Sequence, residues 1–124
     1  MNPPRRRSAP DPRTLLPLTT QAFHILLALA DGERHGYAIM RQVQEGSDGA
    51  VRLGPGTLYG AIKRMLEQGL VEESALRPEP EEDDERRRYY RLTTLGRRVL
   101  TAEADRLEEL VRAVRSKRLR ARTS

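Results

Sequence analysis

The chain has 124 residues, a length for one domain with tails, and its 37% apolar against 33% charged residues promise only a thin core, which favours burial in an oligomer. Lys and Arg number 23 against 18 Asp and Glu, and the net charge of +5 points to an anionic partner, nucleic acid first. The lack of cysteine excludes disulfides, a thiol nucleophile and a Cys-ligated metal, and no apolar run reaches the roughly 18 residues of a membrane span.

Residues 1–17 hold prolines at positions 3, 4, 10, 12 and 17 and four arginines against one acid, which predicts a disordered basic arm, either an inert tail or a nonspecific phosphate contact. Arg5, Arg6 and Arg7 ahead of a fairly apolar Leu15 to Ala30 have the order of a signal peptide. Asp11, Pro12, Pro17, Gln21 and His24 interrupt it and no A-x-A-like site follows, so a cytoplasmic protein is expected. Thr19 or Thr20 caps a first helix that runs to about Ala30 and ends at Asp31-Gly32. Ala22, Ile25, Leu26 and Leu29 form one stripe and Phe23, Leu27 and Ala30 a second. A helix apolar nearly all round is sandwiched between its own domain and a partner subunit or ligand pocket. His24 lies within it and reads as a satisfied core or interface histidine.

His35-Gly36 opens a second helix, to about Glu45, with Tyr37, Ile39, Met40 and Val43 at its apolar positions. Its N-terminus can hold a phosphate near His35 and Tyr37, or His35 can serve as a cap alone. After a loop at residues 46–49, Ala50 to Leu53 is read as a brief strand. The third helix is the most sharply bounded stretch, with Pro55 at a first helical position and Gly69 where a helix stops in a left-handed turn. At 100° per residue Leu58, Ile62, Met65 and Leu66 share a core face with Ala61 beside them. Gly56, Gly60, Lys63 and Glu67 take the opposite face, flanked by Thr57 and Arg64. A glycine at position 60 costs roughly 1 kcal/mol against Ala, so something is expected to approach closely there, as for a helix in a DNA groove. Tyr59 lies at the margin, its ring packing and its hydroxyl either reaching a phosphate or packing too.

Residues 70–76 and 87–92 read as two strands, with Tyr90 and Leu92 on one face and Tyr89 and Arg91 on the other. The intervening tip carries six acids in the seven residues 79–85, too polar to pack, so a β-hairpin with a long mobile tip is predicted. The tip lacks the glycine and alternation of a calcium loop. Thr93 or Thr94 caps a last helix to about Leu119. Leu100, Ala104, Leu107, Val111 and Val114 repeat at steps of 4, 3, 4 and 3, a heptad seam for a partner helix, with Leu95, Val99 and Leu110 off the seam and facing the domain. The expected core is Ile25, Leu26, Leu29, Ile39, Val43, Leu58, Ile62, Leu66, Val71, Tyr90 and Leu92. No Ser-His-acid or paired-carboxylate arrangement is present, Gly54-Pro55-Gly56 fits neither phosphate-loop pattern, and His24 and His35 lack helical spacing and a third ligand. No enzyme, cofactor or metal is expected.

The order of elements is that of a winged helix-turn-helix, mainly α with a small β-hairpin, followed by a long C-terminal dimerisation helix. His35-Gly36-Tyr37-Ala38-Ile39, the stretch Gly54 to Met65, Gly69-Leu70-Val71 and the stretch Arg88 to Gly96, in that order, resemble the PadR family of bacterial transcriptional regulators. The similarity covers roughly Leu18 to Leu119 and is with the short branch, whose C-terminal region is a single dimerisation helix. It implies residues 18–93 as the DNA-binding domain, 94–119 as the pairing helix and 120–124 as a basic tail. It also implies a homodimeric repressor on an inverted-repeat operator. DNA contacts are expected from His35, Tyr37, Gly56, Thr57, Tyr59, Gly60, Lys63 and Arg64, with Arg86, Arg87 and Arg88 reaching the backbone from the wing strand. Some family members bind aromatic molecules between first and last helices, which makes Ala22, Phe23 and Leu26 the expected effector pocket. This chain departs from the pattern in having one phenylalanine, no tryptophan and an acidic wing tip, which phosphate would repel. The alternative reading is a winged-helix protein-interaction adaptor without sequence-specific DNA binding.

Overall fold

The computed structural model describes residues 10–74 and 88–119. The expectations for residues 1–9, the acidic tip, Arg86, Arg87 and the tail at 120–124 lie outside the described residues. Those described form four α-helices, α1 (Thr20–Ala28), α2 (Gly36–Gly46), α3 (Pro55–Glu67) and α4 (Thr94–Ser116), and three strands, β1 (Arg34–His35), β2 (Val71–Glu73) and β3 (Tyr89–Leu92). The sheet is antiparallel in the order β1-β3-β2, with Val71 opposite Leu92, Glu73 opposite Tyr90 and Arg34 opposite Tyr90 on the other edge.

Each helix starts where its sequence permits. Thr19 caps α1 by accepting the Ala22 N–H, His35 caps α2 through its imidazole, and Thr93 caps α4 by accepting the Gly96 N–H. The core is one cluster from all four helices and the sheet: Ile25, Leu26 and Leu29, then Ile39 and Val43, then Leu58, Ile62 and Met65, closed by Val71, Tyr90, Leu92 and Val99. Each fully buried aliphatic side chain here stabilises by about 1.5–3 kcal/mol. Of the expected core, Leu66 alone stands outside, 38% exposed. Leu110, expected against the domain, is 50% exposed, because α4 has by then run past the sheet and helices that bury Val99.

Two expectations about local structure are corrected. Ala50 to Leu53 is not a strand. The Val51 N–H is taken at 2.9 Å by Ser47 Oγ, which itself donates to the Val43 carbonyl, so the loop satisfies its backbone without a sheet. The third strand is β1, which exists because Arg34 and His35 lie along the free edge of β3. The second correction concerns the arm assigned to residues 1–17. Asp11 caps a 3-10 turn at Pro12–Leu15, and Leu15 and Leu16 pack against the core. The Leu18 N–H then donates at 3.0 Å to Glu103 Oε2 on α4.

Glu103 is buried, 2% exposed, and also accepts two hydrogen bonds from Arg106, at 2.6 and 2.9 Å. The Arg106 guanidinium foremost, and the Leu18 N–H, hold its carboxyl below the usual value against the opposing effect of burial. A second junction lies at the start of α4. A Cβ on Gly96 would press on the Leu70 carbonyl oxygen and come within 3.0 Å of its carbon, so only glycine lets α4 approach the end of α3 this closely.

Candidate nucleic-acid interface

α3 is set by its ends. Pro55 occupies the first turn, and Gly69, at φ +77°, closes the last. The Leu70 N–H reaches the Met65 carbonyl at 2.9 Å and the Gly69 N–H that of Leu66 at 3.1 Å, the two bonds of a Schellman motif. The buried arc runs through Ala61, Met65, Leu58 and Ile62. Leu66 falls about 40° beyond Ile62 and Ala61 takes the place expected for it, because the core is centred on Leu58 and Met65 rather than on Ile62.

The outward arc therefore carries Gly56, Thr57, Gly60, Lys63 and Arg64, all exposed except the half-buried Gly60. Nothing lies within 4 Å of a Cβ built on Gly56, and only the Arg64 Nη1, at 3.9 Å, near one on Gly60. Among the described residues no packing calls for these glycines. Neither Lys63 nor Arg64 forms an ion pair with a described residue.

Two expected contact residues are committed to the fold. The Tyr59 hydroxyl is enclosed beside Gly36, where an added Cβ would lie 2.6 Å from Tyr59 Cζ. Its ring thus joins α3 to the start of α2, and the hydroxyl is not placed to meet a phosphate. His35 Nδ1 accepts the Ala38 N–H at 3.2 Å, and its ring meets Tyr89 edge-on at 5.5 Å. The half-buried imidazole is a cap and a packing element. Tyr37, two residues on, is 44% exposed and keeps its place on the surface.

The wing strand also differs from expectation. Arg88 pairs with Glu73 at 3.4 Å, with its Nε shut off from solvent. Arg91 pairs with Glu72 at 2.8 Å and Glu33 at 3.4 Å, and Glu33 accepts the Ser74 hydroxyl at 2.6 Å. By contrast the exposed Arg41 and Arg52, which the sequence reading did not single out, have no ion pair with a described residue. Counting charge along the chain treats all these arginines alike, and only tertiary pairing sorts them.

On the far side, Phe23 lines a groove of about 440 Å³ with Ala104, Leu107, Glu108, Val111, Arg112 and Arg115 of α4. Ala22 and Leu26, expected beside it, do not line the groove: Leu26 is fully buried and Ala22 is packed against the core. They fall on the stripe of α1 that faces the domain, Phe23 on the opposite one. Along the seam Leu100 packs on the core, Ala104 is exposed, and Leu107, Val111 and Val114 are 36%, 47% and 56% exposed. Leu27, one turn beyond Phe23, is 47% exposed. Among the described residues no group of three His, Asp or Glu is placed to hold a metal ion, and no helix is long and apolar enough to cross a membrane.

Three helices followed by a small antiparallel wing and a long helix define a winged helix-turn-helix of the transcription-regulator class. The chain belongs to the PadR-like family of transcriptional regulators, whose family model matches residues 25–102. That family is one of regulators, not enzymes. Over 92 residues the chain is 40% identical to Transcriptional regulator Rv3488 of Mycobacterium tuberculosis, covering 74% of this chain and 79% of that protein. It is 42% identical over 86 residues to an uncharacterized 37.1 kDa protein in a transposon of Streptomyces fradiae, which covers 69% of this chain but only 22% of that protein. The fold matches Bacillus subtilis PadR, solved in complex with operator DNA, with a TM-score of 0.57 at 21% identity, covering 69% of this chain and 47% of that one.

Proposed function

We propose that the chain is a homodimeric, sequence-specific DNA-binding repressor of the cytoplasm, with residues 18–93 as the DNA-binding unit and 94–119 as the pairing helix. The observation that carries this reading is the outward arc of α3, with two glycines that no described residue crowds and, beside them, two cations that form no ion pair with a described residue. Gly56, Thr57, Gly60, Lys63 and Arg64 read the major groove, and Tyr37 meets the flanking backbone. The exposed apolar strip of Leu107, Val111 and Val114, with Phe23 across the groove and the exposed Leu27 one turn further along α1, supports pairing with a second copy. Two recognition helices then address half-sites about 34 Å apart on an inverted repeat. A small aromatic effector entering beside Phe23 would change the angle between the paired helices, and with it that spacing.

The test is a gel-shift series with purified protein and the duplex upstream of its own gene, against an excess of unrelated duplex. A discrete complex that resists competition is expected at nanomolar to micromolar protein, and light scattering of the free protein should give a dimer. Retardation that unrelated duplex abolishes equally would remove sequence specificity and favour the adaptor reading.

A further inference from the structure

The charges of this fold are divided unevenly between its two DNA-facing sides. At the base of the wing Arg88 and Arg91 stand against three carboxylates, Glu33, Glu72 and Glu73, each within 3.4 Å of an arginine. Exposed pairs of this kind are weak individually, about 0–1 kcal/mol, so their strength is not the point. What matters is the count among the described residues: three carboxylates stand against two guanidiniums, so a phosphate approaching this strand competes with carboxylates already seated on both arginines.

On the other side no described carboxylate is seated on the arginines. α2 buries Gly36, Ile39 and Val43, which leaves Arg41 exposed one turn along from Tyr37 on the same flank. Arg52 precedes the buried Leu53 and stands two residues ahead of Gly54, the N-cap of α3, so an exposed arginine leads directly into the groove-facing helix. Neither has an ion pair with a described residue. Of the acids in the same segment, Glu45 lies one turn beyond Arg41 on α2, Asp48 in the loop that follows and Glu67 at the end of α3, and none of them forms an ion pair with either arginine.

We infer that Arg41 and Arg52 anchor the phosphate backbone of duplex DNA, and that Arg88 on the wing strand does not. The grip on DNA is thus moved from the wing to the helical side of the recognition helix. This rests on the DNA-binding reading above, and extends it to residues that reading does not use. A backbone anchor carries no sequence information, so the same residues hold specific and unrelated duplexes alike.

Salt dependence tests this directly. Each phosphate neutralised contributes about 0.9 to the slope of log K against log salt, so a dimer stripped of Arg41 and Arg52 in both subunits loses about 3.6 in slope. The measurement is fluorescence anisotropy of a 30-base-pair duplex of arbitrary sequence, and of a duplex enriched by the wild-type protein from a random pool. The R41A/R52A variant is expected to lose that slope on both duplexes with an unchanged circular dichroism spectrum. R41K/R52K should keep it, which a merely structural role would not predict, and R88A should leave the slope within about 0.5 of wild type. An unchanged slope in R41A/R52A, or a drop in R88A as large, overturns the inference while leaving the regulator reading intact. Wild-type protein that binds neither duplex at any salt overturns both, and that outcome alone tells the two failures apart.

Discussion

Replacing Gly60 by alanine separates the stability of the fold from its hold on DNA. Gly60 lies inside α3, where glycine is less favourable than alanine by about 0.8–1.0 kcal/mol. The added methyl would meet only the far end of the flexible Arg64 side chain, at 3.9 Å, so nothing in the free protein offsets that gain. G60A should therefore stabilise by about 1 kcal/mol, raising the thermal midpoint by roughly 3–6 °C in a chain of this size. On DNA the sign reverses. A methyl on the arc proposed to face the groove would hold the helix off the bases, and a fall in affinity of about tenfold, worth about 1.4 kcal/mol, is expected. Thermal unfolding by circular dichroism and anisotropy on the enriched duplex measure the two effects, at one protein concentration because the proposed pairing would shift the midpoint. A lowered midpoint would refute the open space beside Gly60. A raised midpoint with unchanged DNA affinity would refute the close approach.

Three further substitutions probe the joints of the molecule. G96A offers the same gain in helix propensity but drives a methyl into the Leu70 carbonyl, backbone that cannot swing aside. A net loss of about 1–3 kcal/mol in urea unfolding is expected, and an increase would contradict the Gly96–Leu70 junction. Glu103 titrates lower in the fold than its ordinary 4.5, so its contribution is present above that value and lost as the pH falls through the folded one. Between about pH 6 and pH 3 the urea midpoint of wild type should drop more steeply than that of E103Q, and parallel curves would argue against the hold of Arg106 and the Leu18 N–H on the Glu103 carboxylate. V111D places a charge on a strip that is 47% exposed in one chain, so its cost within one chain should stay within about 0.5 kcal/mol. Light scattering should nonetheless show a monomer, and a surviving dimer would remove this part of α4 from the pairing surface.

What was legible in the sequence is what acts through its own backbone or its immediate neighbours. Pro55 and Gly69 bound α3 by local rules, Thr19 and Thr93 cap by reaching three residues ahead, and the alternation at Tyr90 and Leu92 needs only a pleat. The misses share a different cause. Leu66 and Ala61 compete for one place in the core, and a helical wheel cannot tell which, since the answer depends on where the rest of the core lies. Tyr59 turns inward because Gly36, 23 positions earlier, leaves room for its ring. β1 is two residues long and owes its existence to the edge of β3. Glu103 looks like a solvated helix residue until its partner appears, the Leu18 N–H 85 positions away.

The arginines carry the same reasoning to the site. Their spacing marks Arg86, Arg87 and Arg88 as a basic run and leaves Arg41 and Arg52 as scattered singles. A cation's availability to a phosphate depends on which carboxylates the fold brings beside it, and β-pairing sets Glu72 and Glu73 across from Arg91 and Tyr90, within reach of the wing arginines. Arg88, the described member of that run, is therefore a weaker candidate for a DNA contact than Arg41 or Arg52, which pair with no described carboxylate. In this family the two would be distinguished by their salt slopes and not by their density along the chain.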